Sequence, residues 1–69
     1  MWETEIKVRP AKLDIIRDKI YVLGKQYDYS ISTQKLSDKR LMVKVFNINS
    51  SHPKLGEFED ALSELITSS

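Results

Sequence analysis

The chain contains no cysteine, one histidine, two glycines and two prolines among its 69 residues. Without cysteine, disulfide bridges and thiolate metal sites are excluded, and the composition fits a reducing compartment. The isolated Gly24 and Gly56 exclude a glycine-rich phosphate loop. His52 stands next to Ser51 but has no third partner nearby, and its position before a helix is typical of a capping residue. We therefore expect no enzyme, no cofactor and no metal.

The sequence also lacks a long apolar run and a large net charge. No stretch approaches the roughly 20 apolar residues that cross a bilayer, and the first five residues lack the layout of a signal peptide. We therefore expect a cytoplasmic protein with no membrane partner. The net charge is only +1, although residues 1–49 carry +4 and residues 50–69 carry −3. A basic N-terminal region thus precedes an acidic C-terminal region.

Charged residues make up 30% of the chain and hydrophobic residues 41%, which is the composition of a single small globular domain. Three segments, at about 2–9, 27–34 and 40–48, alternate between apolar and polar residues with the period of a half-buried strand. The polar segment 35–39 joins the last two as a hairpin. In the third strand Met42, Phe46 and Ile48 have the opposite parity to Leu41, which requires a bulge near Phe46 or a partly covered second face.

Two helices are predicted at about 11–24 and 53–67 from apolar residues that recur every three or four positions. The stripe of the first consists of Leu13, Ile16, Ile20 and Leu23, widened by Ile15 and Val22. Gly24 either ends this helix or lies inside a helix that continues to about Gln26. In the second helix Ser51 or His52 is the expected cap and Pro53 occupies the first turn.

The element order predicts an α+β fold, a β-α-β-β-α two-layer sandwich with a three-stranded sheet and two helices packed on one face. We favour the third strand in the centre, which makes every neighbouring pair antiparallel. The alternative, with the first strand beside the second, stays open. The unpaired strand edges allow either a monomer or a homodimer.

Two sets of residues are candidates for function. The leading interpretation is a small non-enzymatic regulatory or adaptor protein that binds an unidentified protein partner through its open sheet face or its acidic C-terminal helix. The docking candidates are Met42, Phe46, Ile48, Glu57, Asp60 and Glu64. The alternative is a nucleic-acid-binding domain in which cations contact phosphates and an aromatic ring stacks on a base. Its candidates are Lys7, Arg9, Lys35, Lys39, Arg40 and Lys44.

Overall fold

A three-stranded sheet with helices on one face forms the fold, and the computed structural model describes residues 1–68. The elements are β1 (Trp2–Lys7), a 3-10 turn (Pro10–Lys12), α1 (Leu13–Gln26), β2 (Ile31–Lys35), β3 (Arg40–Val45) and α2 (Leu55–Thr67). The strand order is β1-β3-β2, and both neighbouring pairs are antiparallel. The predicted α+β fold and the central position of the third strand are therefore confirmed.

The core lies between the helices and the sheet. Leu41, Val43 and Val45 of β3 have no exposed surface, because the central strand is flanked on both sides and covered by the helices. The other buried members are Val8, Ile16, Ile20, Tyr29, Ile48, Leu55, Phe58 and Leu62. Leu41, Val43 and Val45 match the predicted parity of β3, and the buried hydrophobic residues of α1 and α2 belong to the predicted helix stripes.

The stripe of α1 is narrower than predicted. Ile15 and Val22 are 48% and 58% exposed, so the expectation that they widen the buried stripe is wrong. Leu13, Ile16 and Ile20 are buried, and they recur at the spacing that keeps one side of a helix against the sheet. Residues one position away from this stripe are rotated by about 100° toward solvent.

Helix α1 ends in a Schellman motif rather than at Gly24. The N–H of Tyr29 donates to the Gly24 carbonyl at 2.8 Å, and the N–H of Asp28 donates to the Lys25 carbonyl at 3.2 Å. Asp28 occupies the left-handed region with φ 59°, which aspartate tolerates better than most residues. Gly24 lies inside the helix, where an added Cβ would approach Cγ1 of Ile31 to 2.8 Å.

This cap delays the start of β2 to Ile31, four residues after the predicted start at Tyr27. The alternating pattern over 27–30 is real, but the left-handed Asp28 interrupts the extended backbone. At the other end, β3 stops at Val45 instead of continuing to 48. The chain turns after Phe46, and this turn buries Ile48. A bulge is therefore not needed to explain the change in parity.

Asn47 holds these two turns together. Its side-chain oxygen accepts the N–H of Ser30 at 2.9 Å, and its Nδ2 donates to the Asp28 carbonyl at 3.0 Å. The helix α2 then begins at Leu55 rather than at Pro53. The helix N-cap is Lys54, without a side-chain capping bond, so the predicted cap at Ser51 or His52 is wrong. His52 instead contacts the turn before the helix, where its Nδ1 lies 3.3 Å from the backbone nitrogen of Lys54.

Candidate functional site

The open face of the sheet carries side chains in rows that are set by the strand register. Nearest the hairpin tip, Lys7 of β1 lies opposite Arg40 of β3. The next two rows are Glu5, Met42 and Gln34, followed by Glu3, Lys44 and Ser32. The face is therefore cationic at one end, acidic along β1 and uncharged along β2.

Four of the six predicted nucleic-acid contacts converge at the hairpin end of the sheet. Lys7, Arg9, Lys39 and Arg40, which we call the basic end, line an open depression of about 470 Å³ together with Val8 and Pro10. The backbone between them is fixed, because the N–H of Val8 donates to the Lys39 carbonyl at 2.8 Å. The hairpin tip is thereby tied to the end of β1.

Only one cation of the basic end is in an ion pair within residues 1–68. Arg40 Nη1 lies 3.7 Å from Glu5 Oε2, and both side chains are about half exposed, so solvent weakens this pair. The side chains of Lys7, Arg9 and Lys39 have no carboxylate partner among the same residues. Their charge is therefore available to an anionic ligand.

Lys35 and Lys44 lie outside the depression. Lys35 ends β2 and is exposed beside the hairpin turn, while Lys44 is half-buried in the middle of β3, directly opposite Glu3. Phe46 is 53% exposed at the far end of the same face. It is six residues from Arg40, which corresponds to about 20 Å along an extended chain.

The predicted docking residues do not form one patch. Met42 is half-buried between Glu5 and Gln34, whereas Phe46 projects beyond the end of β3. Ile48 is only 8% exposed and belongs to the core, so its assignment to a surface patch is corrected. The reason is the bend at Phe46 and Asn47, after which Ile48 packs in the core.

The acidic docking candidates belong to the opposite side of the molecule. Glu57, Asp60 and Glu64 are exposed on α2, which covers the other face of the sheet. Within the described part of the chain, no group of three or more histidine, aspartate or glutamate side chains is arranged to hold a metal ion.

An aromatic cluster, which the sequence reasoning did not identify, occupies the end of the sheet away from the hairpin tip. Phe58 is fully buried, and the rings of Trp2, Tyr27 and Tyr29 meet it edge to face with centroids 5.1–6.1 Å away. The hydroxyl of Tyr29 lies 3.0 Å from Nδ1 of His52. We call Trp2, Tyr27, Tyr29 and Phe58 the aromatic end.

Burial raises the pKa of the Tyr29 phenol above its ordinary value of 10.0, and the neighbouring Tyr27 and Glu57 act in the same direction. His52 Nδ1 also lies 3.3 Å from the backbone nitrogen of Lys54, so the Tyr29 hydroxyl and this N–H approach the same ring nitrogen. Within residues 1–68 no buried side-chain nitrogen or oxygen lacks a hydrogen-bond partner, and the hydroxyl of Ser51 donates to Asn49 Oδ1 at 2.7 Å.

None of the helices described over residues 1–68 has the length and hydropathy needed to cross a bilayer. The open face of the sheet has one cationic end and one exposed aromatic ring. Comparisons of the chain with protein-family models, with curated proteins and with solved structures found no match.

Proposed function

We propose that this protein is a non-catalytic binding module that holds single-stranded nucleic acid along β3, with phosphates at the basic end. The observation that carries this proposal is the convergence of Lys7, Arg9, Lys39 and Arg40 around one depression. Clustered cations on an ordered backbone are the electrostatic footprint of a polyanion site, because each phosphate contact releases bound counterions.

The charge distribution of the open face supports a path along β3 and β2. The acidic residues of this face, Glu3 and Glu5, belong to β1, whereas Ser32 and Gln34 of β2 are uncharged. A strand that runs from Arg40 toward Phe46 therefore meets phosphate-binding groups first and an exposed ring last. Stacking on an aromatic ring contributes about 1–3 kcal/mol per base and does not require a particular sequence.

The proposal is tested by the fluorescence anisotropy of a short labelled single strand of mixed sequence. The double variant Lys39→Gln/Arg40→Gln removes two cations of the basic end. Lys19→Gln/Lys25→Gln removes the same charge from the exposed surface of α1 and is the matched control. We expect the first variant to weaken binding and to reduce the slope of log affinity against log salt by about 1.4, since each single-strand phosphate contact contributes roughly 0.7.

Two results would overturn this function. One is no binding by the unchanged protein at about 50 mM salt, where phosphate contacts are strongest. The other is an equal loss of affinity in both double variants, which would show that net charge matters and the position of the cations does not. Circular dichroism of both variants checks that the fold is retained.

A second candidate is docking of a protein partner on the exposed ring of Phe46. This ring is held on an ordered backbone, because the N–H of Phe46 donates to the Ser30 carbonyl at 2.9 Å. Chemical cross-linking that captures a partner with the unchanged protein and with Ile15→Ala, but not with Phe46→Ala, would support it. Equal capture by both variants would remove the ring from the site. The cytoplasmic location expected from the sequence stays a prediction.

A further inference from the structure

The two edges of the sheet differ in whether their backbone groups are already bound. At the β2 edge, the outward N–H of Thr33 donates to the Tyr21 hydroxyl at 3.2 Å. The same hydroxyl lies 3.1 Å from Thr33 Oγ1. A side chain from α1 therefore occupies the middle of this edge and hinders the approach of another strand.

The β1 edge has no such cover. The N–H of Val8 donates to the Lys39 carbonyl, so the even-numbered residues of β1 face β3 and the odd-numbered residues face outward. The outward residues are Glu3, Glu5 and Lys7, and no strand or side chain in residues 1–68 bonds to their backbone groups. Arg9 continues the edge in an extended conformation, with φ −65° and ψ 138°, and its carbonyl already accepts the N–H of Lys12 at 2.9 Å.

We propose that a second copy of this chain pairs with the β1 edge, antiparallel and across a two-fold axis at Ile6, to form one six-stranded sheet. In this register, Glu5 of each copy lies opposite Lys7 of the other. Glu3 likewise lies opposite Arg9. Every charged cross-strand pair joins opposite charges, and such pairs stabilise neighbouring strands. In the dimer Lys7 and Arg9 of the basic end take part in these pairs, whereas Lys39 and Arg40 lie outside the paired edge.

The charges along β1 select this register over its neighbours. Only residues whose backbone groups face outward can form hydrogen bonds across the edge. The alternative registers that meet this condition differ by a shift of the two-fold axis of one residue along β1. An axis at Glu5 would place the two Glu5 carboxylates together, and an axis at Thr4 would place Glu3 opposite Glu5. Arg40, which is paired with Glu5 in its own chain, lies opposite Lys7 on the same face of the sheet and adds positive charge there.

The space beside β1 contains a small depression with both polar and apolar lining that the second copy would cover. A depression of about 90 Å³ lies between β1 and α2, lined by Thr4, Ile6, Leu62, Ile66, Glu59 and Ser63. With the two-fold axis at Ile6, the Ile6 side chain of one copy would contact that of the other copy over this depression. Glu59 is the charged member of this lining, and it lies near Thr4, which comes opposite Val8 of the other copy. The two Glu59 carboxylates are therefore kept apart.

Proline substitution tests which edge is used. Sedimentation velocity over a range of concentrations should show a monomer–dimer equilibrium for the unchanged chain. Glu5→Pro removes an outward N–H, which an edge strand tolerates, and the missing donors and the bulky ring should weaken the dimer by about tenfold or more. Lys35→Pro makes the same change at the outward edge of β2 and should leave the dimer intact.

The opposite pattern, with the dimer lost in Lys35→Pro and kept in Glu5→Pro, would overturn the proposal. A monomer at every concentration would also overturn it. Circular dichroism of both proline variants verifies that the monomer still folds.

Charge exchange tests the register. Glu5→Lys and Lys7→Glu each place like charges across the axis and should weaken self-association by about tenfold. In a mixture of the two variants, one chain carries two cations at these positions and the other carries two carboxylates. Opposite charges then face each other again, so a dimer should reappear. A mixture that stays monomeric would contradict this register.

Neither of these measurements uses nucleic acid. A failure of the dimer proposal is therefore distinguishable from a failure of the proposed function, which is tested by the binding of a labelled single strand.

Discussion

The two ends of the sheet are built from different kinds of interaction. At the aromatic end, Phe58 has no exposed surface and three rings pack around it edge to face. At the basic end, four cations surround an open depression and only Arg40 is paired with a carboxylate of the described chain. Strand β1 connects the two, with Trp2 at one end and Lys7 at the other.

The region that stabilises the fold is therefore distinct from the region that we propose binds nucleic acid. Burial of large rings supplies free energy of folding at the aromatic end, since each aromatic side chain removes a large apolar area from water. Cations that are clustered without partners contribute little to folding and repel one another. Such a cluster persists because the packed end and the strand ladder hold its backbone in place.

Replacing a ring at the aromatic end should have the largest effect on the fold. Phe58→Ala removes the ring on which Trp2, Tyr27 and Tyr29 pack, and we expect a loss of about 3–5 kcal/mol in the free energy of unfolding. Urea unfolding followed by Trp2 fluorescence measures it. Lys39→Ala at the basic end is the comparison and should change the same free energy by less than about 0.5 kcal/mol. Similar losses of unfolding free energy in Phe58→Ala and Lys39→Ala would show that the two ends contribute equally to stability.

The glycines provide a matched pair with effects of opposite sign. Gly24→Ala would bring a methyl group to 2.8 Å from Cγ1 of Ile31, whose position is fixed by a stiff β-branched χ1. Overpacking costs about 1–3 kcal/mol and outweighs the helix propensity gained, which is about 1 kcal/mol. Gly56→Ala meets no atom within 4 Å, so the gain in propensity should appear alone as higher thermal stability. Stabilisation by both changes would show that Ile31 moves aside freely.

The smallest expected effect concerns the buried phenol of the aromatic end. Because burial raises the pKa of Tyr29 above 10.0, the folded state holds this proton more tightly than the unfolded state. The resulting stabilisation is complete below about pH 10 and is lost as the pH rises through the raised pKa. Tyr29→Phe lacks this proton. The difference in the free energy of unfolding between the unchanged protein and Tyr29→Phe should therefore become smaller in alkaline solution. Tyr21→Phe, at an exposed ring, is the control, and equal narrowing there would contradict the assignment to Tyr29.

The sequence predicted the parts of the fold that depend on local periodicity. The alternation in β1 appears as a half-buried apolar face. The stripes of Leu13, Ile16 and Ile20 and of Leu55, Phe58 and Leu62 are buried as expected. The start of β2 was not predicted, because the alternation of Tyr27 and Tyr29 continues through a helix cap at Asp28. The role of Asn47 was also missed, since its two backbone partners are 17 and 19 residues away.

The candidate site was predicted only in part, for the same reason. Lys7, Arg9, Lys39 and Arg40 were named from their sequence as cations of one strand and one hairpin tip, but their meeting depends on the pairing of Val8 with Lys39. The same parity rule placed Ile48 on the surface, where it would lie if β3 had continued. A turn of the chain after Val45 buries it instead.

The sequence by itself determined the element order, the apolar faces and the excess of positive charge before residue 50, because each depends only on residues that are close together in the sequence. Tertiary structure alone decided that the cations gather at one end and the rings at the other. It also decided that Tyr21 covers one sheet edge while nothing in residues 1–68 covers the other. These features depend on contacts between segments distant in sequence. Their geometry is set by strand register and helix packing, which no local pattern specifies.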